Sequence, residues 1–216
     1  MDGILSKISE EMLDGNSKEV QRLIEEAISG GIDASDILEQ GLMAGMDVVG
    51  VKFRSNEFFV PEVLVAARAM NKGMAVLKPH LAKSGVKPVG KALLGSVKGD
   101  LHDIGKNIVR MMFEGKGIEV KDLGVDVPPE KFVEAYKEEK ADIIALSALL
   151  TTTMEEMKNT VDAFIDAGLR DDVIIMVGGA PVSDKSRIAA GADLYADDAV
   201  AAAEAAKQAL VMKSGA

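Results

Sequence analysis

From residue 91 onward the chain alternates short apolar runs with helical stretches five times. That alternation constrains the fold more than any other feature. "KALLGSV", "IEVKDLG", "ADIIALSAL", "DVIIMVGGA" and "ADLYAD" read as strands. They are followed in turn by "IGKNIVRMMFEGKG", "PEKFVEAYKEEK", "MEEMKNTVDAFIDAG", "SDKSRIAAG" and an Ala-rich stretch to about Met212, all with helical spacing. Such a pattern specifies an α/β domain with a doubly wound five-stranded parallel sheet, its helices carried to both faces by right-handed crossovers. Ligands of such sheets bind beyond the carboxyl ends of the strands.

The first 84 residues follow a different grammar. "GILSKISEEML" places Ile4, Leu5, Ile8, Met12 and Leu13 at helical spacing, and Asp14-Gly15 breaks the pattern. "KEVQRLIEEAIS" can be capped by Asn16 or Ser17 and is ended by Gly30-Gly31. "DILEQGLMAGMDVVGVKF" gives a third helix, and "PEVLVAARAMNKGMAVLKPHL" a fourth with Pro61 in its first turn. Four helices with short connections predict a bundle. "KSGVKPVG", residues 83–90, is rich in Gly, Pro and Lys and reads as a linker and candidate hinge. The expected organisation is a helical domain over 1–84, a linker over 85–90 and an α/β domain over 91–216.

Composition excludes several classes. With 25 basic and 35 acidic residues the formal net charge is −10, which opposes nucleic-acid binding. The chain has no cysteine, so it has no disulfide, thiolate nucleophile or Cys-ligated metal. No apolar run is long enough to span a membrane, and "MDGILSKISEEM" lacks the features of a signal peptide. A cytoplasmic protein with neither nucleic acid nor membrane as partner is expected.

Chemistry concentrates where the strands end. "VKGDLHDIGKN" follows the first strand and contains His102, one of two histidines. Ser147 ends the third strand and Gly178-Gly179 the fourth, so these residues converge on one crevice. No GxGxxG follows a strand, no GxxxxGK[ST] occurs, and there is no GxSxG elbow. An imidazole can ligate a metal through one nitrogen while the other donates to a nearby carboxylate such as Asp100. One histidine without cysteine cannot hold a bare transition metal. If His102 is a ligand, the metal arrives inside a macrocycle that supplies the other donors.

"GDLHDIG" with Ser147-x-Leu149 and Gly178-Gly179, in this order and at these separations, resembles the DxHxxG…SxL…GG signature of cobalamin-binding domains. "GVKFRSNEFFVPEVLVAARAM" resembles the four-helix cap that precedes this domain in methionine synthase and in the corrinoid proteins of methylamine, methanol, quaternary-amine and methoxyl demethylation. The resemblance covers nearly the whole chain. It implies a Rossmann/flavodoxin-like B12-binding domain holding cobalamin, or a related corrinoid, base-off and His-on. His102 would be the lower axial ligand of cobalt. Asp100 would hold its other nitrogen, and Ser147 would bond Asp100. Gly105, Gly178 and Gly179 would make room for the nucleotide tail, Leu149 would pack its slot, and Thr151 would hydrogen-bond near the corrin.

The implied activity is that of a methyl-carrier subunit rather than a stand-alone enzyme. A substrate-specific methyltransferase would deliver a methyl group to Co(I). A second methyltransferase would remove it from methyl-Co(III) to coenzyme M or tetrahydrofolate, and a reductive activator would be a further partner. The alternatives are a B12-dependent sensor or regulator and the small subunit of an adenosylcobalamin mutase.

Other residues have plainer readings. Asp103 reads as a helix N-cap, and Thr152 and Thr153, three residues ahead of Glu155 and Glu156, as capping-box residues, with ligand contacts the alternative. His80 reads as a surface residue, and Met43, Met46, Met70 and Met74 as core filler. Tyr195 and Asp197 lie at the right edge for the tail, with turn roles equally open. "NEFFVPE" sets two phenylalanines side by side. Phe58 or Phe59, with Leu64, is expected to cover the upper corrin face, against the alternative that both aromatics are bundle core.

Overall fold

A computed structural model describes residues 2–214 and contains two compact units. The first comprises residues 1–88 with 115–117, and the second residues 89–114 with 118–216. Met1, Gly215 and Ala216, which the sequence reading assigned to the two domains, lie outside the described residues.

The first unit is helical. α1 (Asp2–Leu13) and α2 (Ser17–Ser29) are separated by Gly15, whose φ of +74° favours glycine and where a Cβ would lie 2.0 Å from Val65 Cγ1. The third expected helix is one rod in three parts: α3 (Ala34–Asp36), a π-helical stretch Ile37–Met43, and α4 (Ala44–Arg54). Periodicity alone does not reveal the wide turn. There Ser9 Oγ donates to the Gly41 carbonyl at 2.6 Å, an acceptor position outside the regular α ladder. α5 (Val60–Ser84) begins with Pro61 in its first turn, where Glu62 accepts from the Phe59 N–H at 2.9 Å, and ends at Gly85 with φ +74°.

The buried stripe of α5 includes Val63, Ala66, Met70, Gly73 and Leu77, and it packs on α2. Gly73 permits close approach: a Cβ there would lie 2.8 Å from Ile24 Cδ1 and 2.9 Å from Val20 Cγ1. Met43, Met46 and Met70 are buried in this core, and Met74 is half-buried.

The second unit is a five-stranded parallel sheet in the order β2-β1-β3-β4-β5. Its strands are β1 (Gly90–Val97), β2 (Ile118–Val127), β3 (Ile143–Ser147), β4 (Ile174–Gly178) and β5 (Leu194–Tyr195). The helices are α6 (Ile104–Gly115), α7 (Pro129–Glu139), α8 (Glu155–Asp166), α9 (Asp184–Ala190) and α10 (Ala199–Ser214). Phe132, Tyr136, Phe164 and Val161 from α7 and α8 cover Leu93, Ile144, Leu146 and Ile175 of the central strands. β1 and β3 are buried along most of their length, as expected for parallel strands covered on both faces.

Both edge strands differ from their expected lengths. β2 runs three residues past "IEVKDLG", because an edge strand tolerates Asp and Gly that a central one would not. β5 keeps only two residues, paired as Met176↔Leu194 and Val177↔Tyr195. Register sets a row across the carboxyl edge: Ser96 is opposite Ser147, and Ser147 is opposite Gly178. Strand order reverses between β1 and β3, so the topological switch point lies at this row.

Gly73→Val should destabilise the helical unit by about 1–3 kcal/mol through overpacking. Ala75→Val on the exposed side of the same helix should stay within about 0.5 kcal/mol. Urea unfolding followed by circular dichroism measures both, and equal effects would contradict the close α2–α5 approach.

Candidate functional site

The polypeptide leaving β1 does not enter α6 directly. It forms a loop, residues 98–103, held at four backbone points. Gly99 takes φ +78° and donates its N–H to Asp126 Oδ1 at 2.6 Å. Asp126 returns its own N–H to the Asp100 carbonyl at 2.9 Å, from a left-handed conformation with φ +52°. The Asp100 N–H reaches the Val97 carbonyl at 3.0 Å. Ser96, fully buried at the end of β1, donates its hydroxyl to the His102 carbonyl at 2.6 Å.

Asp100 is the centre of the site, and its side chain is 0% exposed. Oδ1 accepts from the His102 N–H at 3.0 Å and faces His102 Nδ1 at 2.9 Å. Oδ2 accepts from the Leu149 N–H at 2.7 Å, the Leu150 N–H at 3.3 Å and the Thr153 hydroxyl at 2.7 Å. Burial alone would raise the carboxyl pKa. The donors from Leu149, Thr153 and His102 outweigh it and hold Asp100 well below the usual carboxylate range.

An ionised carboxylate only accepts, so Nδ1 of His102 must carry a proton. In the neutral imidazole Nε2 then keeps its lone pair. The His102 side chain is 50% exposed, and Nε2 has no partner among the described residues. The result is an oriented nitrogen donor at the switch point, buried on one side and open on the other.

Around it lies an apolar rim. Leu101 is 70% exposed and Ile104 69% in the loop after β1, and Leu149 and Leu150, whose N–H groups bind Asp100 from the loop after β3, are exposed as well. Behind the loop, Lys106 is buried and its ammonium sits 2.5 and 2.6 Å from the two oxygens of Asp122, pinning the first turn of α6 to β2. Asp103 occupies the position before α6. Its carbonyl accepts from the Asn107 N–H at 2.8 Å, while its carboxylate takes the Asn107 side-chain amide at 3.1 Å.

The expected residues fall into place with corrections. Asp100, His102, Gly105, Ser147, Leu149, Thr151, Gly178 and Gly179 all sit at or just beyond the carboxyl ends of β1, β3 and β4. The hydroxyl on Asp100 belongs to Thr153, not Ser147. Ser147 is the last residue of β3, in line with the strand, whereas the short 3-10 turn Thr151–Thr153 brings Thr153 back over the carboxylate. Thr153 is therefore not a cap of α8, whose N-cap position is Met154 with no side-chain hydrogen bond.

The two glycines also separate. Gly179, at φ +134°, is required by the chain itself, since a Cβ there would lie 1.9 Å from the Ala148 carbonyl oxygen. A Cβ placed on Gly178 or on Gly105 would meet nothing within 4 Å, so each borders open space. Tyr195 Oη donates to Asp197 Oδ1 at 2.6 Å, the turn role. His80 is half-buried near the end of α5.

On the helical unit Phe59 is 62% and Leu64 44% exposed, so the reading of both phenylalanines as core is corrected. Phe58 is half-buried, with the Lys52 ammonium 5.2 Å from its ring centre. Sequence reasoning missed Ser96, Thr153, Lys106 and Asp126. For Ser96 a signal was present: it is the one hydroxyl side chain in the otherwise apolar run "ALLGSV".

Comparison with known proteins agrees with this geometry. A family model described as B12 binding domain matches residues 90–211, and a second with the same description matches residues 4–78. Trimethylamine corrinoid protein 1 of Methanosarcina acetivorans is 44% identical over 198 residues, covering 91% of this chain and 92% of that protein. The dimethylamine corrinoid protein of Methanosarcina barkeri is 42% identical, covering 96% and 97%.

Among solved structures, a cobalamin-binding protein from Desulfitobacterium hafniense superposes with a TM-score of 0.78 at 33% identity, covering 94% of this chain and 97% of that one. The methanol:cobalamin methyltransferase complex of Methanosarcina barkeri gives 0.86 at 30% identity, covering 98% and 81%.

Asp100→Asn should cost about 1–3 kcal/mol at pH 7, the scale for disrupting a buried, satisfied acceptor. Because the folded pKa is depressed, the ionised carboxylate stabilises the fold above the unfolded value of about 3.9. That part of the difference between wild type and variant should be constant from neutral pH down to about pH 5 and shrink below about pH 4. Urea unfolding against pH measures it. Thr153→Val should weaken the protein more than Ser147→Ala, and the reverse order would contradict the Thr153–Asp100 bond.

Proposed function

The chain belongs to the B12-binding domain family, and from that premise we propose that it is a cytoplasmic corrinoid methyl carrier. One observation carries the reading. The Asp100 carboxylate holds the Nδ1 proton of His102 and leaves Nε2 outward at the β1/β3 switch point, inside an apolar rim. That donor and surroundings suit cobalt within a corrin, whose ring brings the remaining donors and whose flat apolar face needs an apolar seat.

The residues present fit the group. His102 would ligate the cobalt through Nε2 in place of the cofactor's own base. Leu101, Ile104, Leu149 and Leu150 would meet the macrocycle. The open space beside Gly105 and Gly178 would admit the nucleotide tail, and Ser147 and Thr151 border the same edge. Phe59 and Leu64, exposed on the helical unit, remain available as the apolar cover that the resemblance implies. The Gly/Pro/Lys-rich stretch 85–90 is the proposed linker.

When bound, the corrin's cobalt supplies a centre that accepts and gives up a methyl group. This chain's own residues tune it through one hydrogen-bonded line, Thr153 to Asp100 to His102. Asp100 fixes the imidazole tautomer and makes Nε2 a stronger donor.

The relatives support the role. Several are named as corrinoid proteins of trimethylamine or dimethylamine, and one solved relative is a methanol:cobalamin methyltransferase complex. A substrate-specific methyltransferase, a second methyltransferase to coenzyme M or tetrahydrofolate, and a reductive activator are the proposed partners.

Anaerobic reconstitution of wild type and His102→Ala with hydroxo-, methyl- and adenosylcobalamin tests the reading. Wild type should retain methylcobalamin, and its Co(II) EPR spectrum should show nitrogen coupling from a protein imidazole that is lost in the variant. Identical spectra in both proteins, or retention of adenosylcobalamin over methylcobalamin, would overturn it.

A further inference from the structure

No acidic residue stands between Glu62 and Asp100, although seven of the chain's 25 basic residues do. This acid-free segment lies in a chain of formal net charge −10. Its longest element is α5, where Arg68, Lys72, Lys78 and Lys83 are all exposed. At 3.6 residues per turn the four fall within an arc of about 140°, opposite the buried stripe. Asn71, Ala75, Pro79 and Ala82 lie in the arc between them, uncharged residues no longer than an asparagine that leave the charges prominent.

Two ordinary explanations fail. Cations favour the last turn of a helix, where they complement its dipole, but only Lys83 lies there. Surface cations are also commonly paired along a helix. Other helices of this chain follow that practice: Arg22 binds Glu19 and Glu26 in α2, Lys158 binds Asp162 in α8, and Arg187 binds Asp184 in α9. None of Arg68, Lys72, Lys78 and Lys83 forms an ion pair or side-chain hydrogen bond among the described residues. Arg68 and Lys72 are four apart, a like-charge spacing that disfavours an isolated helix. The stripe works against the free protein and is paired with no counter-charge among the described residues.

We infer that the exposed face of α5 is a docking surface for a protein partner that presents a carboxylate-rich face. Net charge separates this partner from nucleic acid. A chain of −10 repels a phosphate polymer over its length, whereas a compact acidic patch on a folded protein meets only the stripe. Charge stripes of this kind act chiefly on encounter rate and orientation, which suits a carrier that must exchange partners. The charge argument stands without the carrier reading; under that reading the partner is a methyltransferase.

The test uses the full chain and a short acidic peptide, hexa-L-glutamate, as the probe, with a mixed-sequence DNA duplex in parallel. Wild type should bind hexa-L-glutamate with an affinity that falls as salt is raised. Arg68→Glu/Lys72→Glu/Lys78→Glu should lose about tenfold or more. Lys131→Glu/Lys137→Glu/Lys185→Glu, the same charge change on exposed cations of the second unit, should lose much less. Circular dichroism confirms that both variants fold. Equal losses in the two variants, or no binding by wild type, would overturn the proposal. Tighter binding of the duplex than of hexa-L-glutamate would replace it with a nucleic-acid surface. Cobalamin loading is measured on the same samples: failure to load with the stripe's binding intact removes the carrier reading and leaves the docking surface standing.

Discussion

One buried carboxylate joins the ends of the two strands between which the sheet's order reverses. Asp100 belongs to the loop after β1, yet three of its five donors come from the segment after β3. A carboxylate without those donors would be expelled from the interior or protonated. With them it cross-links the two loops that leave the paired ends of β1 and β3. The orientation of His102 follows, because its backbone N–H and its ring Nδ1 share one oxygen of the same carboxylate. Ser96 completes the arrangement by holding the His102 carbonyl from the strand below.

The site is built in two tiers of opposite polarity. The floor is a closed hydrogen-bond system of Ser96, Asp100, Thr153 and the backbone of Leu149. The rim is apolar and exposed, made of Leu101, Ile104, Leu149 and Leu150. Leu149 belongs to both tiers, donating its N–H downward and presenting its side chain at the edge. His102 links floor to rim through Nε2, which has no partner among the described residues. A single directional donor within an apolar seat suits a large planar ligand that carries its own metal, and suits a small polar substrate poorly.

Much of this was legible in the sequence, and the parts that were not share a cause. Five strands, their parallel order and the convergence of His102, Ser147 and Gly178-Gly179 follow from period and from the rule that sites form at carboxyl ends. Thr153 was missed because a threonine three residues before Glu156 has the spacing of a capping box. Only the 3-10 turn that begins at Thr151 redirects it toward Asp100. The π-helical stretch Ile37–Met43 keeps its apolar residues at spacings an α-helix would also satisfy, so periodicity cannot separate the two. Asp126 adopts a left-handed conformation that nothing adjacent in sequence requires, and its role rests on Gly99, 27 residues away. Local pattern encodes elements well. It does not encode contacts closed by a turn of unusual geometry.

The chain treats its charges in two contrasting ways. Asp100 is one anion with a surplus of donors, withdrawn from water, so its field is directed along a single line to His102. The cations of α5 are four charges with no acceptors among the described residues, left in water on one face of a long helix. Desolvation makes the first short-ranged, precise and dependent on the fold. Exposure makes the second long-ranged, tolerant of geometry and dependent on ionic strength. A carrier of the kind proposed would need both kinds of electrostatics, and would need them on different elements, so that a partner could come and go without disturbing the ligand's anchor.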